Sequence, residues 1–498
     1  MADRVMFWLG VEFTHFCIAA KLQNLIDAEF FAIIDITKKP KKFFKTQKIV
    51  NFKKSWYFFD SVKPSKNNVD YDYLERFEKK YDINLWKLAI NERVFYRFYD
   101  FHRFTTHEIC SILEQECKLF EKILDEVEPD FLLTKDTSRH HHQLFTEICA
   151  KKGTKVIRMS RSLLGNKVIL SERSRIFDDL SGIDDIQIEN KTLDEMRKYV
   201  QSFNFLESVK KSIKPKKGSQ LISAAKEYLF SDVGENQEQY YYHGRTKTKV
   251  VKHSINSVLS SKTRLRFLDQ NAAKKPDYSA PFAYFPLHVD MERPLLIGAP
   301  FYTNQIEIIR HIVKALPIKF RLYVKESPVG YTREWRKISD YKEIIGTPNV
   351  TLIHHSVPAQ DIFEKCSLVF TVAGASGLEA AFYDKPTIVF SDVGYQYLPT
   401  THRVDSIEKL PELILRALNA KSDMNKLERF LVFMEENTIN FDSFGFEDDF
   451  NEEFYRGGRL VDVELESEKI RGFIKSNEKI LGELSMAHLK KMELKLKN

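Results

Sequence analysis

The stretch Leu368–Phe390, LVFTVAGASGLEAAFYDKPTIVF, decides how this chain is read. An apolar run, Leu368–Val372, passes through Ala373-Gly374-Ala375-Ser376-Gly377 into a helical pattern over Gly377–Tyr383, and a second apolar run follows at Thr387–Phe390. Strand, tight turn, helix and strand make one crossover unit of a parallel sheet. Two of the chain's 18 glycines fall within four residues of each other here. Glycines at such a corner let backbone N–H groups approach an anion with no Cβ in the way, and a helix start adds unpaired donors and a partial positive charge. Ser376 adds a hydroxyl, and Glu379, in the first helical turn, brings a carboxylate suited to ribose hydroxyls.

The same alternation extends outward. Strands are expected at Phe282–Phe285, Lys319–Val324 and Val350–Ile353, with helices at Asn304–Leu316 and Ala359–Lys365. In the first half, strand patterns occur at Val5–Leu9, Glu29–Ile36, Ile49–Phe52, Phe131–Thr134 and Lys155–Met159, with helical patterns from Thr14, over 86–128 and over Gln143–Lys152. The spacing predicts an α/β protein of two doubly wound, Rossmann-like domains facing a cleft, followed by a helical tail. Residues 1–275 form the first domain, with a helical insertion over 172–275. Residues 276–430 form the second, after a linker at Lys274–Pro281, and residues 431–498 form the tail. The basic stretch Lys38–Lys48 is expected as a surface loop, and Lys210–Lys217 and Gly244–Lys252 as exposed loops or solvated helix faces. The first of these, with Phe43 and Phe44 interleaved, suits an anionic membrane surface.

Composition narrows the function classes. With 498 residues and 43% hydrophobic side chains, the chain can bury two large cores. Its 77 basic and 70 acidic residues leave +7, which suits an anionic substrate but not nucleic acid. Five cysteines, with no CxxC pair, argue against a disulfide framework or zinc ribbon and for a reducing compartment. The N-terminal apolar stretch is broken by Glu12, Thr14 and His15, so it reads as strand and helix rather than leader peptide. The run His140-His141-His142 lacks ligand spacing and reads as a solvated helix start, so no metal site is expected.

Two further segments carry polar groups to strand ends, where open α/β sheets bind ligands. Arg321–Pro328, RLYVKESP, ends a strand in Lys325 and Glu326 followed by Ser327. Tyr284–Gln305, YFPLHVDMERPLLIGAPFYTNQ, carries His288, Glu292, Tyr302 and Gln305. Across the cleft, Glu12 and His15 follow the first strand and Asp136 follows Phe131–Thr134, which makes them the candidates for catalytic base.

Taken in order, YFPLHVDMERP…YTNQ, LYVKESP and FTVAGASGLEAAFYDKPTIVF resemble the capsule polysaccharide and surface-carbohydrate biosynthesis family, which includes Kdo-transferring capsule enzymes. The matching positions are Pro286, Leu287, His288, Glu292, Tyr302, Gln305, Lys325, Glu326, Pro328, Gly374, Ser376, Gly377, Leu378, Glu379, Ala380, Lys385 and Pro386. Ser327 stands where the family usually has His, and Ala375 where it often has Thr, so the donor sugar does not carry over. The resemblance implies a GT-B-like fold and metal-independent transfer with no cofactor. The donor would be a nucleotide-activated sugar, CMP-linked donors included; the acceptor does not carry over from the family, and a growing surface polysaccharide or glycan, lipid-linked acceptors included, is the expectation. The cysteine content and the basic Lys38–Lys48 stretch place the protein in the cytoplasm or at the inner face of the cell membrane. On this reading His288, Glu292, Tyr302, Gln305, Lys325, Glu326, Ser327, Gly374, Ala375, Ser376, Gly377 and Glu379 hold the donor. Two alternatives stay open: a nucleotide-sugar epimerase or polyol-phosphate transferase of similar fold, and a non-catalytic component of a polysaccharide assembly complex.

Overall fold

The computed structural model describes residues 2–65, 68–203, 236–326 and 336–496. Ser327, Pro328 and Lys210–Lys217 lie outside them. Among the described residues, twelve strands make two six-stranded sheets. The first contains β1 (Asp3–Leu9), β2 (Ala28–Ile34), β3 (Phe52–Tyr57), β4 (Phe131–Lys135), β5 (Lys155–Arg161) and β6 (Val168–Ser171), in the order β3-β2-β1-β4-β5-β6. Every pairing in it is parallel except β5 with β6. The second contains β7 (Phe282–Pro286), β8 (Arg321–Lys325), β9 (Val350–Ile353), β10 (Leu368–Thr371), β11 (Thr387–Val389) and β12 (Thr401–Arg403), in the order β12-β11-β10-β7-β8-β9, parallel throughout. In each sheet the chain winds outward from its first strand to one edge, then returns and winds to the other. The neighbouring pairs β1/β4 and β7/β10 are therefore switch points, where loops diverge and leave a crevice at the carboxyl ends of the strands.

Helices cover both faces of these sheets, which is why the strands are apolar runs rather than alternating ones. β1 buries Val5 to Leu9 without interruption, and β10 is buried along its whole length. β6 and β12 carry no readable strand pattern. The first is a four-residue antiparallel edge, and the second, Thr-His-Arg, has no apolar run to announce it.

The two halves exchange segments. Leu164, Ile183 and Met196, which follow the first sheet in sequence, pack beneath the second with Tyr284, Tyr383 and Phe430. The tail returns the other way. Phe446 and Phe450 of the Ser443–Phe454 helix, and Leu481, Leu484 and Leu489 of the Glu478–Met492 helix, join Phe13, Phe16 and Phe43 under the first sheet. Phe13 stacks on Phe450 with ring centres 4.7 Å apart. Truncating such a ring costs about 3–5 kcal/mol, so the tail is an integral part of the first core.

Lys38–Lys48 is a helix over Lys38–Thr46, not a loop. Its two phenylalanines are buried against Phe13 and Phe16, Lys41 pairs with Asp60, and Lys42 pairs with Glu464 at 2.7 Å. Burying the aromatics stabilised the fold and removed the feature that suited a membrane. The histidine run is likewise not solvated: His140, His141 and His142 begin the His140–Lys151 helix with their side chains inside the core. His140 is held between Glu92 (2.7 Å) and Glu116 (2.9 Å), His141 meets Asp35 (3.0 Å) and the Tyr240 hydroxyl (2.8 Å), and His142 stacks flat on Trp8 at 4.4 Å. Carboxylates distant in sequence supply these partners, so no local pattern could show the burial.

Candidate active site

At the second switch point β7 and β10 run side by side, and the loops beyond them meet. Gly374 donates its N–H to the Thr371 hydroxyl at 3.1 Å. That hydroxyl lies 3.2 Å from His288 Nε2, which also takes the Ala373 N–H at 3.4 Å. Burial, reinforced by the Arg336 charge, pushes His288 down to about 4. The ring is therefore neutral near pH 7, an acceptor inside the corner rather than a cation. Gln305 fixes the loop that carries it, bonding the His288 N–H (2.7 Å), the His288 carbonyl (3.0 Å) and Asp290 (2.6 Å).

The glycines of this corner are set first by packing. A Cβ on Gly374 would stand 2.7 Å from Thr371 Oγ1 and 2.8 Å from His288 Nε2, and one on Gly377 would stand 2.2 Å from the Tyr395 hydroxyl. Tyr395 in turn donates to the Gly374 carbonyl at 2.6 Å. Ala375 is exposed and Ser376 half-buried at the start of the short Ser376–Ala381 helix, so the corner opens outward.

Lys325, at the end of β8, is buried, and desolvation pulls it below the usual ammonium range while the carboxylates of Glu379 and Asp361 oppose that. Glu379, on the Ser376–Ala381 helix, keeps part of its surface exposed to solvent while protein packs closely around its carboxyl. Desolvation raises it to about 7 against the pull of Lys325. Lys325 and Glu379 thus form an electrostatically coupled pair beside the glycine corner. Glu326 points elsewhere: it pairs with the buried Arg336 and accepts at 2.5 Å from Tyr341 of the Ile338–Gly346 helix. Glu292 precedes the Arg293–Leu296 helix, where its charge reaches Arg93 and Arg161. Tyr302 packs on Phe390 with ring centres 5.3 Å apart.

Between the two sheets lies a cavity of about 820 Å³. Asp136, Gln143, Glu147 and Arg158 line it from the first half, and Arg293, Tyr302, Ala373 and Tyr395 from the second. Asp136 accepts from Arg293 Nε at 3.2 Å and from the Ser174 hydroxyl at 2.8 Å, with Arg158 at 3.9 Å. Arg158 is 3% exposed and its Nε has no hydrogen-bond partner among the described residues. Burial, then the neighbouring Arg293 charge, drop Arg158 to about 10. Burial also lowers Arg293, and burial with Arg175 lowers Arg161 to about 10. Like charges held together out of bulk water are relieved by an anion.

This arginine group escaped the sequence reading. Its one local signal was an arginine at the centre of the apolar strand KVIRMSR, since a charge there needs a special partner. Arg293 and Arg175 join it only through tertiary approach. Glu12 and His15 lie apart from Asp136, around a recess of about 50 Å³ at the first switch point, together with Asp35, Lys135 and Arg139. Glu12 pairs with Lys135 at 2.5 Å, and His15 is buried and driven well below its ordinary value by desolvation and the neighbouring His488. The three candidate bases therefore occupy two places.

Two parallel-rich sheets across a cleft, with a helical C-terminus, make a GT-B-like architecture. Residues 190–404 match the family described as "Capsule polysaccharide biosynthesis protein", the family whose motifs the second half resembles. No curated protein matches the chain. Among solved structures, the chain is similar to a beta Kdo 2,7 transferase, KpsC of Thermosulfurimonas dismutans, at 13% identity and a TM-score of 0.30, over 71% of this chain and 97% of that one. It is also similar to UDP-GlcNAc 2-epimerase of Methanocaldococcus jannaschii in complex with UDP-GlcNAc and UDP, at 12% identity and a TM-score of 0.24, over 87% of this chain and 99% of that one.

Proposed function

We propose that the chain is a glycosyltransferase of surface-polysaccharide synthesis that takes a sugar from a nucleotide-activated donor bound at the second switch point. The observation that carries this reading is the interdomain cavity, with Asp136 and Arg158 on one wall and Arg293, Tyr302 and the Ala373 corner on the other. Transfer needs a donor phosphate to leave and an acceptor hydroxyl to lose its proton, and such a cleft brings groups for both tasks face to face. In this reading Lys325, the backbone amides near Ala375 and Ser376, and the cleft arginines stabilise the departing phosphate without a metal ion. Glu379 accepts hydrogen bonds from the nucleotide's sugar, and His288 with Gln305 holds the corner rigid. Asp136 takes the acceptor proton, its carboxylate aimed by Arg293 and Ser174. All five cysteines are buried and free, which suits a reducing compartment and an acceptor met at the inner face of the cell membrane.

The test is calorimetry against CMP-, UDP-, GDP- and CDP-linked sugars, followed by turnover with a glycan acceptor. One donor class should bind, and its nucleotide should be released only when acceptor is present. Asp136→Asn should lower turnover about 100-fold or more while leaving donor affinity within a few-fold. Sugar interconversion without nucleotide release would replace this reading with an epimerase, and failure of all four classes to bind would end it.

A further inference from the structure

The Lys247–Asn271 helix is held at its ends and open along its middle. Near its C-terminus, Leu268 is buried in the core of the second sheet. Near its start, Lys249 Nζ donates to the Phe101 carbonyl at 3.0 Å, and His253 packs on the Phe101 ring with centres 5.2 Å apart. Between these anchors Val251, Ile255 and Leu259 are 44%, 57% and 59% exposed. At spacings of four they form one apolar stripe along the helix. Exposed Lys252, Lys262 and Arg266 accompany the stripe, and no acidic residue occurs from Lys247 to Leu268, in a chain that otherwise nearly balances its charges.

A water-exposed helix gains only a small stabilisation from each pair of aligned aliphatic side chains, and a self-contained one usually interleaves acids with its lysines. The Lys38–Thr46 helix shows the ordinary solution, with its phenylalanines buried and Lys41 and Lys42 paired to acids. Among the described residues, the middle of the Lys247–Asn271 helix shows neither feature. We propose that this helix is the surface on which the protein docks to an anionic lipid bilayer. Val251, Ile255 and Leu259 enter the headgroup boundary, and the flanking cations meet lipid phosphates, their stems lying along the apolar layer. Anionic lipid fits better than a protein groove because the charge is one-signed and spread along the helix. The segment against which the helix start rests also runs toward the cleft: Tyr96 is exposed, and Arg97 donates to the Thr303 carbonyl beside Phe301, which lines the interdomain cavity. Delivery of a lipid-linked acceptor to that rim rests on the transferase reading, whereas docking itself does not.

Co-sedimentation of the full chain with phosphatidylglycerol/phosphatidylethanolamine vesicles, and with pure phosphatidylcholine vesicles, tests the proposal. The protein should pellet with the anionic vesicles, less so at high salt, and only weakly with phosphatidylcholine. The pair Ile255→Glu and Leu259→Glu should lower partitioning about tenfold or more, and Lys252→Glu with Lys262→Glu should remove most of the preference for anionic lipid. No binding to anionic vesicles, or equal binding by the Ile255/Leu259 variant, would overturn it. So would a wild-type dimer in sedimentation velocity that the same variant dissolves, because the stripe would then belong to a second copy. Nucleotide-sugar binding should be unchanged in every variant, so failure of docking and failure of the transferase reading are told apart.

Discussion

Glu379 gives the sharpest test of the donor corner, because its carboxyl titrates near neutrality. Desolvation by the protein packed around it raises it to about 7, and Lys325 opposes the rise. Only the ionised carboxylate accepts two strong hydrogen bonds from a pair of ribose hydroxyls. If it does so, donor binding is linked to loss of one proton, and affinity rises with pH until the carboxyl is fully ionised. With a value near 7, about a tenth of the free protein is ionised at pH 6 and about nine tenths at pH 8, so affinity should rise about tenfold between them and level off above. A nucleotide sugar linked through phosphodiesters does not titrate in this range, and His288, at about 4, is already neutral. Glu379→Gln keeps the shape and removes the titration. Its affinity should be flat across the range and about tenfold below wild type at pH 8, the loss of about one charged hydrogen bond. Calorimetry at pH 6, 7, 8 and 9 reads both curves. Parallel slopes in wild type and variant would show that Glu379 does not touch the donor.

Three further outcomes are expected. Arg158→Gln or Arg293→Gln should weaken binding of the best nucleotide sugar about 10- to 100-fold and flatten its salt dependence, since each removes one charged donor from the cleft. Unchanged affinity in a folded variant would place the anion elsewhere. Gly377→Ala should cost about 1–3 kcal/mol and lower the melting temperature through the approach to the Tyr395 hydroxyl. Adding Tyr395→Phe should recover part of that loss, and a melting temperature unaffected by Gly377→Ala would contradict the packing account. His140→Ala leaves the Glu92 and Glu116 carboxylates buried without their cation and should cost about 3–5 kcal/mol in urea unfolding. Burial disfavours the charge on His140, but Glu116 and Glu92 outweigh it and raise the ring from 6.5 to about 10, so its contribution is full below pH 6.5 and fades toward pH 10. Glu92 is lowered from 4.5 to about 2, so its share is full above pH 4.5 and fades toward pH 2. The gap between wild type and variant should therefore be widest between pH 4.5 and 6.5, and a gap independent of pH would refute the ion triad.

The order of strand and helix was legible because each buried strand of a parallel sheet is an uninterrupted apolar run, and such runs are visible one at a time. Val350–Ile353 and the helix Ala359–Lys365 fall where the pattern placed them. The motifs of the second half were legible for a related reason: His288, Lys325 and Gly374 lie at or just past strand ends, and parallel winding brings all strand ends of a sheet to one edge. The reason two glycines stand in the corner was not legible. Their neighbours Tyr395, Thr371 and His288 come from other loops, and the shared packing appears only when those loops close on one another.

By itself, then, the sequence determined the α/β class, the doubly wound order and the edge on which the ligand-bearing loops lie, because these follow from local hydrophobic period and chain order. Only the tertiary structure decided that the histidine run is an internal ion network, that segments cross between the two sheets, and that Arg158, Arg175 and Arg293 converge on one cavity. The physical reason is range. A strand or helix announces itself through residues a few positions apart, whereas burial of a charge depends on partners more than a hundred residues away, such as Arg293 for Asp136 and Tyr240 for Glu116.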